Sequence, residues 1–214
     1  PFTVTIDAAV TNPLRCTSLS PGSAIAGEEF EITIQTFDAY NNPTDYEDDE
    51  FVGWYGRAEE ETIELIRVLN QNTSSFEFIL KGTKTIAEIN LIHVKHNETG
   101  IEVANSPFAI RVVPGSANAS TSYHNLETDT LDTSNKVDFL LQVYPADEYN
   151  NLITSATGYT VTIKRGSNEE TFDLKAPSFS YTLPVEKSFD GKIAVSFMYN
   201  GEHIKNSPMR IICA

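Results

Sequence analysis

The sequence predicts an all-β protein built as two tandem seven-stranded β-sandwiches. Three observations predict it: the chain repeats itself once, its apolar residues alternate with period 2, and clusters of Asn, Gly, Pro and Asp separate the alternating runs. The block Asp38-Ala39-Tyr40-Asn41-Asn42 returns as Asp147-Glu148-Tyr149-Asn150-Asn151, an offset of 109. The same offset carries Phe30, Ile32 and Ile34 onto Phe139, Leu141 and Val143, and residues 60–65 onto 169–174. Residues 75–80 match 178–183 at an offset of 103, and 105–108 match 206–209 at 101. The matches keep their order. Deletions of six and then two residues, placed in loops of the second copy, account for the shifts. The reading is two homologous domains, 8–113 and 114–214.

Residues 1–6 share the pattern of 107–112, and 1–7 read as the end of a preceding repeat or a linker. Strand A is poorly signalled in both copies. Strand B falls at 29–37 and 136–144, where Phe30, Ile32 and Ile34 alternate with Glu31, Thr33 and Gln35. Such alternation puts one face on a core and the other in water. Strand C falls at 50–55 and 159–164, and D at 60–66 and 169–174. Strand E falls at 75–80 and 178–183, F at 88–96 and 192–199, and G at 107–113 and 208–213. Seven short strands in about 100 residues is the immunoglobulin-like pattern, without the Cys–Trp–Cys spacing of antibody domains. Each copy has its own apolar set, so 8–113 and 114–214, expressed separately, should each melt cooperatively. A cooperative transition from neither half would remove the two-domain reading.

Composition narrows function by exclusion. Hydrophobic residues at 40% and charged residues at 21% belong to a folded chain rather than a disordered one. Thirty acids against fifteen bases give a charge of −15, which opposes nucleic acid and anionic lipid alike. No apolar run reaches the length of a membrane span, so direct membrane insertion is not expected, and no signal peptide is visible. The two cysteines, Cys16 and Cys213, are too few for a disulfide framework. Both read as thiols outside any disulfide, or as incidental core residues.

The chemistry-bearing residues form no enzymatic constellation. His93 and His96 stand three apart on a strand and face opposite sides, a surface histidine and a core-edge one, so they do not chelate one ion. His124 and His203 have no partner in the sequence. No nucleophile elbow, phosphate loop or paired-cysteine motif occurs. The protein is therefore expected to be no enzyme and to need no metal or cofactor. The acidic run Asp45-Tyr46-Glu47-Asp48-Asp49-Glu50 lacks the glycine and spacing of a calcium loop and reads as a charged guard on a strand edge. Trp54, aligned with Ile163, is expected in the core. The sequons at Asn72, Asn97 and Asn118 are no more than chance gives in a chain rich in Asn, Ser and Thr; they matter only if the protein is secreted.

The residues resemble the filamin-type immunoglobulin repeat. Gly22-Ser23-Ala24-Ile25-Ala26-Gly27-Glu28-Glu29-Phe30 is similar to its A-to-B stretch, and Asp38-Ala39-Tyr40-Asn41-Asn42 to the turn after strand B. Phe197-Met198-Tyr199-Asn200-Gly201-Glu202-His203-Ile204-Lys205-Asn206-Ser207-Pro208 resembles the F-to-G hairpin, and Asn105-Ser106-Pro107-Phe108 repeats its ending. Both copies carry Asn where Gly usually precedes Ser-Pro. The resemblance implies a cytoplasmic rod segment of an actin-cross-linking scaffold. F-actin would be bound by parts of the parent protein outside this chain, and cytoskeletal proteins or membrane-receptor tails would dock by β-augmentation. The alternative it implies is an extracellular adhesion ectodomain at the cell surface, of the gamete-surface type.

The second copy is the expected docking or homodimerising module. Seven bases against eighteen acids give residues 1–113 a charge of −11; eight against twelve give the remainder −4. Strand C of copy two, Tyr159-Thr160-Val161-Thr162-Ile163-Lys164, is rich in β-branched residues and has no acid. The expected partner site is this strand C edge with its D-strand groove, Thr171, Phe172, Asp173 and Leu174.

Overall fold

The computed structural model describes residues 2, 7–44, 50–56, 62–63, 65–70, 75–127, 130–131, 138–184 and 191–213. Most of the segment read as the end of a preceding repeat (residue 1 and 3–6), the acidic residues 45–49 and the sequon at Asn72 lie outside them. The chain divides into two compact units, Pro1–Val113 and Pro114–Ala214. Each unit is a pair of β-sheets enclosing its own core, the predicted all-β sandwich.

In the first unit, β1 (Thr17–Leu19), β2 (Ser23–Ile25), β3 (Glu29–Gln35), β4 (Phe51–Tyr55), β5 (Thr62–Ile63), β6 (Leu65–Asn70), β7 (Ser75–Thr83), β8 (Ile89–His96) and β9 (Phe108–Val113) form two sheets. Their orders are β1-β3-β7-β6 and β2-β9-β8-β4-β5. Strand A therefore exists, in two halves. β1 runs antiparallel to β3, whereas β2 runs parallel to β9 in the opposite sheet. Each half is three residues long and carries the pattern exposed–intermediate–exposed, too short to display a period.

The second unit contains β10 (Tyr123–His124), β11 (Thr130–Leu131), β12 (Phe139–Tyr144), β13 (Tyr159–Arg165), β14 (Asn168–Leu174), β15 (Ser180–Leu183), β16 (Gly191–Tyr199), β17 (Glu202–His203) and β18 (Met209–Cys213). One sheet runs β10-β12-β15; the other runs β11-β18-β16-β13-β14, with β17 on β16. Strand E starts at Ser180 rather than 178 because Phe179, at φ 45°, completes a turn closed by its N–H on the Lys175 carbonyl oxygen, 2.9 Å.

Strand D separates the two units. In the first it changes sheets: β5 pairs with β4, then β6 pairs with β7 over six residues, from Leu65↔Leu80 to Asn70↔Ser75. In the second, β14 stays on β13 along its whole length, from Tyr159↔Leu174 to Arg165↔Asn168. The six-residue deletion in copy two is therefore not a loop deletion. Between Leu174 and Ser180 too little chain remains for a strand beside β15, and among the described residues β6 has no counterpart in the second unit.

Alternation fills both cores as expected. Phe30, Ile32, Ile34, Leu80, Ile92, Val94 and Ile110 pack in the first unit, and Leu141, Val143, Val161, Val195, Phe197 and Ile211 in the second. Burying each such side chain contributes about 1.5–3 kcal/mol. Trp54 departs from its expected place. Phe51 and Tyr55 face the core, and a Cβ at Gly53 would meet Leu80 Cδ1 at 2.7 Å, so Trp54 points to the outer face. There it is 6% exposed, stacked on His93 at 5.0 Å.

Candidate functional site

Two polar locks, each built twice, hold the loops. Asp38 is buried after β3, where its carboxylate accepts from the backbone N–H of Ala9 (3.0 Å), Tyr40 (2.8 Å) and Asn42 (2.9 Å), and from Asn42 Nδ2 (2.9 Å). Asp147 repeats it with the N–H of Gly115, Tyr149 and Asn151 and with Asn151 Nδ2, all at 2.8–2.9 Å. Burial pushes the Asp38 carboxyl up, but these donors outweigh it and bring it down to about 2. Asp147 is lowered against the same burial penalty. Asn41 and Asn150, at φ 65° and 67°, supply the left-handed residue of each turn.

The second lock closes the F-to-G hairpin. Val94 N–H donates to Ser106 Oγ, 3.1 Å, and Phe197 N–H to Ser207 Oγ, 2.8 Å. Asn105 and Asn206 before those serines sit at φ 66° and 65°. Asn tolerates this left-handed conformation better than other non-glycine residues, which accounts for Asn in place of Gly.

Near the first hairpin lock stand His93, Glu102 and Ser106, three residue types that in another order would make a hydrolase. Ser106 Oγ donates to Glu102 Oε2 at 2.7 Å, and His93 Nδ1 lies 3.2 Å from Glu102 Oε1. The imidazole is thus aimed at the carboxylate and not at the hydroxyl, so no base activates a nucleophile. The Ser106 hydroxyl, against some burial and with help from His93, holds the Glu102 carboxyl below its ordinary value. The arrangement braces the outer face under Trp54. Among the described residues no group of three or more His, Cys, Asp or Glu is placed to hold a metal ion, and no helix is long and apolar enough to cross a membrane.

His96 is buried, 5.2 Å from Phe51, with Nδ1 3.1 Å from Thr99 Oγ1. His124, read from the sequence as lying in a turn or near a strand end without a partner, is a core residue on β10. Its ring stacks on Phe197 at 4.6 Å and its Nδ1 accepts from Leu126 N–H at 3.2 Å. Burial lowers its pKa, partly offset by the Asn206 carbonyl oxygen. Folded His124 thus resists the proton that unfolded His124 takes up near the ordinary 6.5. Stability of the second unit is expected to fall as pH drops below about 6.5. A His124→Gln variant should lose that part of the pH dependence of the melting temperature; an unchanged slope between pH 6.5 and 5 would count against it.

The expected partner site is not assembled as a free strand C. β13 is paired along its full length on both sides, with β14 and with β16. Its backbone groups are already used, so Tyr159, Thr160, Val161, Thr162, Ile163 and Lys164 offer no edge. Tyr159, Val161 and Ile163 are core residues. Thr162 bonds Thr171 across the ladder, Oγ1 to Oγ1 at 2.9 Å, and Lys164 pairs with Glu169 at 3.5 Å. The edge of this sheet is β14, where Thr171 and Asp173 are exposed, Leu174 is buried, and Phe172 stacks on Tyr181 of the facing sheet at 4.0 Å. The facing sheet ends at β15. Of the two described sequons, Asn97 is exposed in the turn after β8 with Nδ2 on Glu50, 3.0 Å. Asn118 accepts from its own sequon serine, Ser120 Oγ, at 2.7 Å. Cys16 is a buried thiol whose Sγ lies 3.6 Å from the Asn12 carbonyl oxygen.

No protein-family model and no curated protein sequence matches the chain. Solved structures do. FdeC, an Escherichia coli adhesin, matches over 99% of this chain and 68% of its own, with a TM-score of 0.59 and 17% identity. Invasin, described as a bacterial integrin-binding protein, matches over 95% of this chain and 40% of its own, with a TM-score of 0.57 and 13% identity. The Lin-41 filamin domain covers 50% of this chain at 14% identity, with a TM-score of 0.39, too low to carry an argument. At these identities the likeness is one of fold: tandem immunoglobulin-like β-sandwiches, the architecture shared with the two adhesins.

Proposed function

We propose that this chain is a non-enzymatic segment of a cell-surface adhesion protein, two sandwiches in series that act as spacer and present strand edges to a protein partner. The observation that supports it most is the fold likeness to FdeC and invasin, which runs through both units rather than one. An acidic surface fits a protein partner better than nucleic acid or anionic lipid. Biotinylation of intact source cells with a membrane-impermeant reagent tests the location. Labelling without permeabilisation is expected; labelling only after permeabilisation would overturn it.

A second reading, a cytoplasmic filamin-like scaffold that docks receptor tails and dimerises, is favoured by the F-to-G hairpin and its Asn-Ser-Pro ending in both units. Co-sedimentation of the parent protein with the actin cytoskeleton would favour it. In that case docking through strand C falls to the first unit, where, among the described residues, β5 pairs with Gly53 and Trp54 of β4 and leaves Phe51 and Val52 unpaired on that side.

A further inference from the structure

The chain carries two versions of one sandwich, and they differ by a strand. In the first unit β6 completes the sheet beyond β7. In the second, β15 is the counterpart of β7, and among the described residues it pairs only with β12. The six missing residues between D and E correspond in number to the six of β6.

The hydrogen bonds say which groups face the vacant side. Val143 N–H donates to the Phe179 carbonyl oxygen, 3.0 Å, so Val143 and, alternately, Leu141 and Phe139 turn their backbone toward β15. Gln142 and Leu140 turn theirs the other way, onto Asn125. In the register Leu141↔Tyr181 and Phe139↔Leu183, Tyr181 and Leu183 are therefore tied to β12. The N–H and C=O of Ser180 and Thr182 point outward to the open edge.

We propose that this edge binds an extended partner peptide in the place that β6 holds in the first unit, and that the peptide carries an apolar residue followed two positions later by a basic one. β6 shows the fit. Leu65 stands opposite Leu80 and Arg67 opposite Phe78, the counterparts of Leu183 and Tyr181. In the second unit the basic residue would pass over the Tyr181–Phe172 stack toward Glu170, which is exposed on the core-facing row of β14. Glu169 and Asp173 add to the negative field of that edge strand. β15 has no charge of its own, so nothing on it repels an incoming strand.

The test uses the full chain and a fluorescently labelled peptide with the sequence of residues 65–70. Saturable binding is expected. It should weaken at least tenfold when the peptide's arginine is replaced by glutamate, and at least tenfold in a Thr182→Pro protein. Proline there removes only an outward N–H, so the variant should melt with wild type. Amide exchange gives an independent reading: Ser180 and Thr182 should exchange fast in the free protein and at least tenfold slower with peptide, with Tyr181 and Leu183 protected throughout. Equal binding by wild type and Thr182→Pro, indifference to the arginine, no binding up to millimolar peptide, or protection of Ser180 and Thr182 before peptide is added would each overturn the proposal. Self-association that Thr182→Pro abolishes, without any peptide binding, would replace the peptide by a second copy of this chain and so also overturn it.

Discussion

Replacing Asp147 with alanine should lower the stability of the second unit by about 3 kcal/mol, since hydrogen bonds to a charged acceptor contribute roughly 1.5–3 kcal/mol each and are not additive. Four donors converge on this carboxylate, and two of them belong to Asn151. The third, Gly115 N–H, ties the opening of the unit to a turn 32 residues away. Alanine would strand these donors in a site where Asp147 is 1% exposed. For a domain of this size the loss corresponds to a fall of about 12–24 °C in melting temperature. Calorimetry of the wild type and the variant checks it; a fall under about 4 °C would mean that water replaces the carboxylate at little cost.

The same site sets the acid limit. The folded pKa of Asp147 lies below its ordinary 3.8. The stabilisation is therefore complete above that value and is lost as pH falls through the lower, folded one. Asp38, brought to about 2, makes the same contribution to the first unit over the window from 3.8 to about 2. The alanine variant of Asp147 should show a shallower acid limb in the second unit alone.

The two Asp blocks were the first repeat visible in the sequence, yet their role as clamps was not. Their local partners, two and four residues on, follow an ordinary turn pattern, but the distant ones, Ala9 and Gly115, are joined only by folding. Trp54 shows a different limit. An offset anchored on blocks either side of strand C set it against Ile163, whereas the sheet sets Gly53 against Val94 and Val161 against Phe197. One residue of slip moves a side chain to the opposite face. The alternation of Phe51, Gly53 and Tyr55 carried the correct register, with glycine hiding it. Strand A and buried His124 escaped because two- and three-residue halves on different sheets have no period to read. The shift of offset from 109 to 103 did contain the main difference between the units, and only the topology shows that it removed a strand.

That topology gives the last expectation. Thr162→Pro would block an open strand C, but Thr162 lies opposite Thr171 on one side and Ser196 on the other. Whichever neighbour receives its N–H, proline removes a ladder bond from a strand paired on both sides and leaves a carbonyl of the sheet without its donor. The cost should be about 3 kcal/mol, combining that lost acceptor partner with strain in the two flanking strands. Thr182→Pro, placed on the open edge of β15, should cost almost nothing. Melting both variants beside wild type separates an interior strand from an edge strand with one residue type. Equal melting temperatures for the two prolines would show that β13 has a free side after all.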